Sequence, residues 1–300
     1  DRSHPAIIFW SLGNENTQWG ENFRAERDYA RVVDPTRPLK TGHNYYGGGW
    51  DTNEYTDIDS MHYPSWKTDF TKAGNGKPYL ADEYAHVRCY YGPGSRADTD
   101  PNVRSFWGES LKIFWDKMYA ADAVLGAAIW GTIDDVFYCE QEPVGYGRWG
   151  IFDGWRRLKP EYWQTKKSYS PVRIENAALG NPGADKPLFI NVENRFDHTD
   201  LSELEISWQV GTEFGPLSPS LAPHSKGLLE IPARAWQDNE TLMLEFYATH
   251  GGYRHMVDSF ALPLTERIRA WPPMAGPAPA LTQGDDGITA VKGSDFTVRF

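Results

Sequence analysis

An α/β fold followed by an all-β domain is what this chain predicts, and two observations carry the prediction. Through the first 170 residues, short apolar runs alternate with charged, helix-like stretches. After Pro171 the runs themselves alternate apolar and polar residues, with Gly, Pro and Asn clusters between them. The first texture is that of a parallel sheet with crossover helices. The second is that of a β-sandwich of immunoglobulin-like type.

The elements follow in order. Ile7–Ser11 is a continuous apolar run, as in a strand buried on both faces. Asn22–Val33 reads as a helix, with Glu26, Arg27, Asp28 and Arg31 interleaved among Phe23, Ala30 and Val32, and Asp34-Pro35 ends it. Pro38–His43, Asp57–Tyr63 and Tyr79–Asp82 are short strand candidates. Val103–Ala121 is the longest helix candidate, with Phe106, Leu111, Phe114, Trp115 and Met118 as its apolar face. Val124–Trp130 is a further buried strand, and Pro160–Tyr169 a helix begun by proline in its first turn. Five strands in this order match the C-terminal half of a (β/α)8 TIM barrel. In such barrels catalytic groups sit at C-terminal strand ends. Glu15, His43, Tyr63, Glu83 and Trp130 all fall at such ends.

The domain expectation is a partial barrel over 1–170, a β-sandwich over 171–268, a stiff Pro-rich linker over 269–283, and the start of a further β domain over 284–300. The chain opens on Asp1 and stops in an alternating pattern, Asp295–Phe300, so it reads as an internal piece of a longer protein. The lack of a leader then says nothing about localisation.

Composition narrows the classes. The net charge of −11 argues against a nucleic-acid partner, which needs clustered Lys and Arg. No apolar run is long enough to cross a bilayer as a helix, so no membrane partner is expected. The 13 Trp, 16 Tyr and 14 Phe suit a sugar site but suit a β-rich core better. Cys89 and Cys139, the two cysteines, form no CxxC pattern and read as free thiols.

Glu15 and Glu83 each close an apolar strand, and two carboxylates converging on one pocket are what glycoside hydrolysis needs. Gly13-Asn14-Glu15 in isolation would more often be a strand-to-helix turn with Asn14 as a local cap. The preceding His4-Pro5 and the apolar run through Trp10-Ser11-Leu12 shift the reading toward chemistry.

The segment His4-Pro5-Ala6-Ile7-Ile8-Phe9-Trp10-Ser11-Leu12-Gly13-Asn14-Glu15 closely resembles the acid/base segment of glycoside hydrolase family 2, in its β-galactosidase branch. Glu83-Tyr84-Ala85-His86 resembles that branch's nucleophile segment, and Asn194-Arg195-Phe196-Asp197 with Asp200-Leu201-Ser202 resembles the sandwich domain that follows the barrel. The resemblance implies a retaining exo-β-glycosidase acting on a β-galactoside, with Glu15 as general acid/base and Glu83 as nucleophile; the alternatives are another family 2 sugar specificity, of β-glucuronidase or β-mannosidase type, or a carbohydrate-binding fragment that is inactive when isolated. It implies that Asn14 bonds the sugar 2-hydroxyl, that Tyr63 donates to Glu83, that His86 contacts ring hydroxyls, and that Trp130 forms an apolar platform. Each has a plainer reading: Tyr63 as a core aromatic, His86 as a structural histidine, Trp130 as a barrel plug. His43 and His62, also near strand ends, are weighed as structural. Asp82 would point away from Glu83 in a regular strand and is given no catalytic part.

Two departures bear on specificity. Trp130-Gly131-Thr132 stands where the branch usually has Trp-Asp-Trp, and Trp149 stands where a sodium-ligating Asn would be, so a sodium site is not expected. No cofactor is expected to be required by this chain, and Mg²⁺ is a possibility only for the longer protein. A homo-oligomer is left open.

Overall fold

The structure, a computed structural model, describes residues 2–15, 21–41, 56–65, 67–72, 76–85, 102–140, 142–176, 178–266, 280–283, 289–293 and 296–299, without the side chains of 136–139 and 143–146. It divides into two compact units, Asp1–Ser170 and Pro171–Phe300.

The first unit is an arc of five parallel strands in sequence order: β1 (Trp10–Ser11), β2 (Leu39–Lys40), β3 (Asp59–His62), β4 (Tyr79–Tyr84) and β5 (Val124–Ile129). β1 pairs with β2, and β3, β4 and β5 form one sheet. The Asp57 and Ile58 amides donate to the Leu39 carbonyl, and the Ser60 hydroxyl to that of Thr41, which joins the two pieces. Three helices accompany the strands: α1 (Glu21–Val33), α2 (Asn102–Tyr119) and α3 (Pro160–Ser168), the last with proline in its first turn. A hairpin, β6 (Asp135–Cys139) with β7 (Glu142–Gly147), precedes α3.

The buried stripe of α2 is Trp107, Leu111 and Met118, with Phe114 packed beside it. Phe106, expected on that face, is 69% exposed. The reason is phase: 107, 111, 114 and 118 recur at the helical period, and 106 lies about 100° away. Gly108 lets α3 approach closely, since a Cβ there would sit 2.6 Å from the Gln164 side chain. Arg104 then bonds the fully buried Glu161 carboxylate through two nitrogens, at 2.8 and 3.0 Å.

The first strand is shorter and more open than its apolar run suggests. Ile8 is 71% exposed, and the Ile7 carbonyl accepts from Arg37 rather than from a ladder. Arg37 also reaches the His4 and Arg2 carbonyls and the buried Asp34 carboxylate, which Trp10 and Thr36 bond as well. One guanidinium thereby fixes the approach to Glu15. In β5, Leu125 is exposed; among the described residues no strand pairs with that strand's outer edge.

The second unit is all β. One sheet holds β10 (Lys186–Asn194) between β8 (Val172–Arg173) and β13 (Ser225–Arg234). The other runs β12 (Glu213–Leu217), β11 (Glu205–Val210), β14 (Thr241–His250), β15 (Tyr253–Thr265) and β9 (Leu179–Gly180). Alternate residues of both sheets enter one core, with Ile190, Ile206, Leu229, Ile231, Leu244 and Phe246 almost fully buried. That alternation is the period-two pattern read from the sequence. A separate antiparallel sheet, β16 (Ala280–Gln283), β17 (Thr289–Lys292) and β18 (Thr297–Arg299), follows. Most of the Pro-rich stretch, Cys89 and the Cys139 side chain lie outside the described residues. No described helix is long and apolar enough to cross a membrane.

Candidate active site

The candidate catalytic groups lie at the C-terminal ends of the parallel strands. Glu15 lies just past β1, Tyr63 just past β3, and Glu83 near the end of β4. Oxygens of the two glutamates and a ring nitrogen of His62 all lie within 4.8 Å of one another. Nearest oxygens this close suit a pair whose carboxyl groups stand about 5 to 5.5 Å apart, as in retaining glycosidases. A pair that must admit a water between them stands about 6.5 to 9.5 Å apart.

The Tyr63 hydroxyl donates to Glu83 Oε1. The Tyr63 amide donates to the Glu83 carbonyl at 2.8 Å, so the backbone aims the phenol at its partner. Trp107 Nε1, from α2, bonds the carbonyl of Ala85 two residues on. Glu15, Tyr63 and Ala85 all adopt left-handed backbone, with φ of 49°, 50° and 56°. Such conformations in residues other than glycine cost of order 1 to 3 kcal/mol and cluster at functional sites.

His62 is the residue that sequence reasoning passed over. Its Nε2 is 3.0 Å from Glu15 Oε1 and 3.6 Å from Glu83 Oε2. Its Nδ1 is 3.4 Å from Asp82 Oδ1, and Asp82 Oδ2 takes the Lys40 ammonium at 2.7 Å. Asp82 and Glu83, consecutive in β4, therefore both face the same imidazole. Regular alternation forbids this. The ladder shifts register between Ser60 and His62 on one side of β4 and between Ala81 and Tyr84 on the other, and such irregularities re-aim side chains. The signal available in the sequence was His62 immediately before Tyr63, a titratable ring at the end of β3.

Burial alone would lower the His62 pKa, but hydrogen bonds to Asp82 and Glu15 and the charges of Glu83 and Asp82 outweigh it and hold the ring above its ordinary value. Burial would raise Asp82, yet the His62 bond and the Lys40 charge hold it below the usual carboxylate range.

Trp130, just past β5, is 43% exposed and lines a cleft of about 370 Å³ together with Gly131, Thr132 and the buried Trp149. The Trp130–Gly131 peptide is cis. Asn14 is exposed beside Glu15. His43 and His86 lie outside the described residues.

The same three groups, Glu15, His62 and Glu83, are the metal-capable cluster among the described residues. They do not fit Mg²⁺, which takes oxygen donors in near-octahedral array. Here one donor is an imidazole nitrogen already engaged with Glu15.

Residues 1–174 match the family described as glycosyl hydrolases family 2, TIM barrel domain. The chain belongs to glycoside hydrolase family 2. The arc β1–β5 is thus part of a family 2 barrel, and Glu15 and Glu83 stand at its strand ends. A β-galactosidase of Lactococcus lactis subsp. lactis (strain IL1403) is 27% identical over 247 residues, covering 70% of this chain and 22% of that protein. β-Galactosidase 2 of Enterobacter cloacae is 25% identical over 325 residues, covering 95% of this chain and 29% of that one. The family 2 chain therefore spans under a third of the length of these relatives. A solved β-D-glucuronidase of Dictyoglomus thermophilum is similar at 23% identity and a TM-score of 0.42, over 56% of this chain and 32% of that one.

Proposed function

We propose that this chain carries the catalytic carboxylates of a retaining exo-β-glycosidase acting on terminal β-galactosides. The observation that supports it most is the approach of Glu15 and Glu83 to within 4.8 Å, with Tyr63 donating to Glu83. In the first step Glu83 attacks the anomeric carbon. The glycosidic C–O bond breaks, and the departing oxygen takes the proton of Glu15. In the second, Glu15 accepts a proton from water, the water oxygen bonds the anomeric carbon, and Glu83 leaves. Tyr63, donating to Glu83, orients it for attack and stabilises the carboxylate as it is released. Asn14 would hold the sugar 2-hydroxyl, His86 other ring hydroxyls, and the exposed face of Trp130 would stack under the ring.

Galactose is favoured by the Trp10–Glu15 wording and by the two relatives named β-galactosidase. A second sugar, of β-glucuronidase or β-mannosidase type, is favoured by Gly131 and Trp149, which reshape the cleft beside Trp130. We further read 171–268 as an immunoglobulin-like sandwich, 269–283 as a linker, and 284–300 as the start of another β domain. Incubation with a 2-deoxy-2-fluoro-β-galactosyl inactivator, followed by intact-mass measurement and peptide mapping, tests the reading. An adduct on Glu83 is expected. An adduct on another residue would sink the nucleophile assignment, and labelling only by the glucuronyl or mannosyl analogue would move the sugar.

A further inference from the structure

We propose that His62 is a positioning residue that shares the acid proton of Glu15, and that the buried Asp82–Lys40 pair sets which of the two carries it. The inference rests on the reading of Glu15 as acid/base and goes beyond it.

The geometry requires a proton between the two side chains. His62 Nδ1 faces Asp82, a carboxylate held ionised by Lys40, so Nδ1 carries hydrogen. Nε2 then faces Glu15 Oε1 at 3.0 Å. A bare nitrogen lone pair and a bare carboxylate repel at that distance, so one proton lies between them. It has two resting places. On Glu15, the acid donates to a neutral ring; on His62, an imidazolium donates to a carboxylate. Passing between them, the proton leaves Oε1 as the N–H bond forms at Nε2, and no other bond changes.

Both arrangements belong to the enzyme before bond cleavage. Cleavage sends the shared proton to the departing oxygen and leaves Glu15 a carboxylate beside a neutral ring, and attack by water returns a proton to the pair. The ring thus acts on how firmly the acid proton is held before the bond breaks, and it also faces Glu83 at 3.6 Å. The His62 and Asp82 side chains are each 1% exposed, so water does not compete for their bond, whereas Glu15, 36% exposed, stays open to the departing group and to water. The groups facing the ring are Glu15 after β1, Tyr63 edge-on at 4.8 Å, and Asp82 and Glu83 from β4, with Lys40 of β2 behind Asp82. Strands β2, β3 and β4 and the segment after β1 thus supply one line of charge, Lys40–Asp82–His62–Glu15.

Two measurements on the full chain test this. The first follows the His62 ring nitrogens by NMR against pH, which needs no turnover. The ring is expected to protonate above the ordinary value of about 6.5. Glu15→Gln and Asp82→Asn should each lower that midpoint, by on the order of one unit. A midpoint unmoved by Glu15→Gln would overturn the proposal. The second compares kcat/KM against pH for wild type and His62→Gln on two galactosides. With a poor alkoxide leaving group, the alkaline limb should move to lower pH, a loss of about tenfold at a fixed pH on that limb. With dinitrophenolate, which needs no proton to depart, the alkaline limb should not move. Equal losses on both substrates would reduce His62 to a structural role. Fluorosugar labelling separates the two failures. If Glu83 is labelled and the limb does not move, only the His62 inference falls; if the label lies elsewhere, the reading beneath it falls too.

Discussion

The two units place their charges differently. In the all-β unit the cores of both sheets are apolar, and most strong ion pairs lie outside. Arg254 bonds Glu205 across two exposed side chains, and Arg234 clamps Glu213 and Glu240 at a sheet margin. In the α/β unit charge goes inside: Asp34, Lys40, Asp59, His62, Asp134 and Glu161 are all buried. Removing ions from water costs several kcal/mol each unless bonds and partners compensate. The all-β unit incurs the cost less often, at Arg173 and Asp258. The α/β unit accepts it more often, and Lys40 and His62 do so at strand ends, where ionisable groups out of water gain fixed orientation and altered proton affinity. One unit is organised for stability, the other for chemistry.

The largest expected effect lies in the second. Glu83→Gln should lower turnover by several orders of magnitude while the fold stays intact, read by steady-state kinetics on an aryl galactoside beside a thermal melt. Near-normal rates would erase the distinction drawn between the units. Glu15→Ala should cost about 10²- to 10⁴-fold on substrates that need a proton. On activated aryl galactosides, azide should restore the rate and yield the glycosyl azide; no rescue would remove Glu15 from the acid/base role.

A truncation in the other unit should show the reverse. Phe246 is fully buried and packs edge-on against Phe260. Phe246→Ala should cost about 3 to 5 kcal/mol in urea unfolding, with faster hydrogen exchange in β14 and β15 and an unchanged pH–rate profile. A changed profile would mean that the site depends on this core.

A smaller effect concerns Asp34. Hydrogen bonds from Thr36, Arg37 and Trp10, partly opposed by burial, hold its pKa well below the usual carboxylate range. A depressed folded value stabilises the fold above the unfolded value, near 3.9, and the stabilisation is lost as pH falls through the folded value. Asp34→Asn should therefore melt lower than wild type at pH 7, with the gap narrowing below about pH 4. Arg254→Ala, by contrast, should leave the melting temperature unchanged, because both partners of that pair are open to water.

Much of this was legible in the chain. The five strands, their order, the three helices and the period-two texture after Pro171 all follow from apolar spacing. That Glu15 and Glu83 should meet follows from strand ends pointing one way. The line from Lys40 to His62 was not legible, because alternation in a regular strand sends Asp82 away from Glu83. The register shifts beside β4 that cancel this rule have no glycine or proline in Leu80–Tyr84 to announce them. Phe106 was misplaced for a different reason. Counting apolar residues along α2 does not fix the phase, and Trp107, carrying a hydrogen bond to Ala85, takes the inner position.

The left-handed residues beside the carboxylates set limits for anyone who would engineer this protein. Glycine would relax all three backbones, but at Glu15 and Tyr63 it would remove the acid or the phenol itself. Ala85 offers its carbonyl, which glycine keeps, and only a methyl packed against the core, which glycine gives up. The strain at positions 15 and 63 is therefore locked in by function, while Ala85→Gly is the substitution that a search for heat-resistant variants could accept there without touching the chemistry.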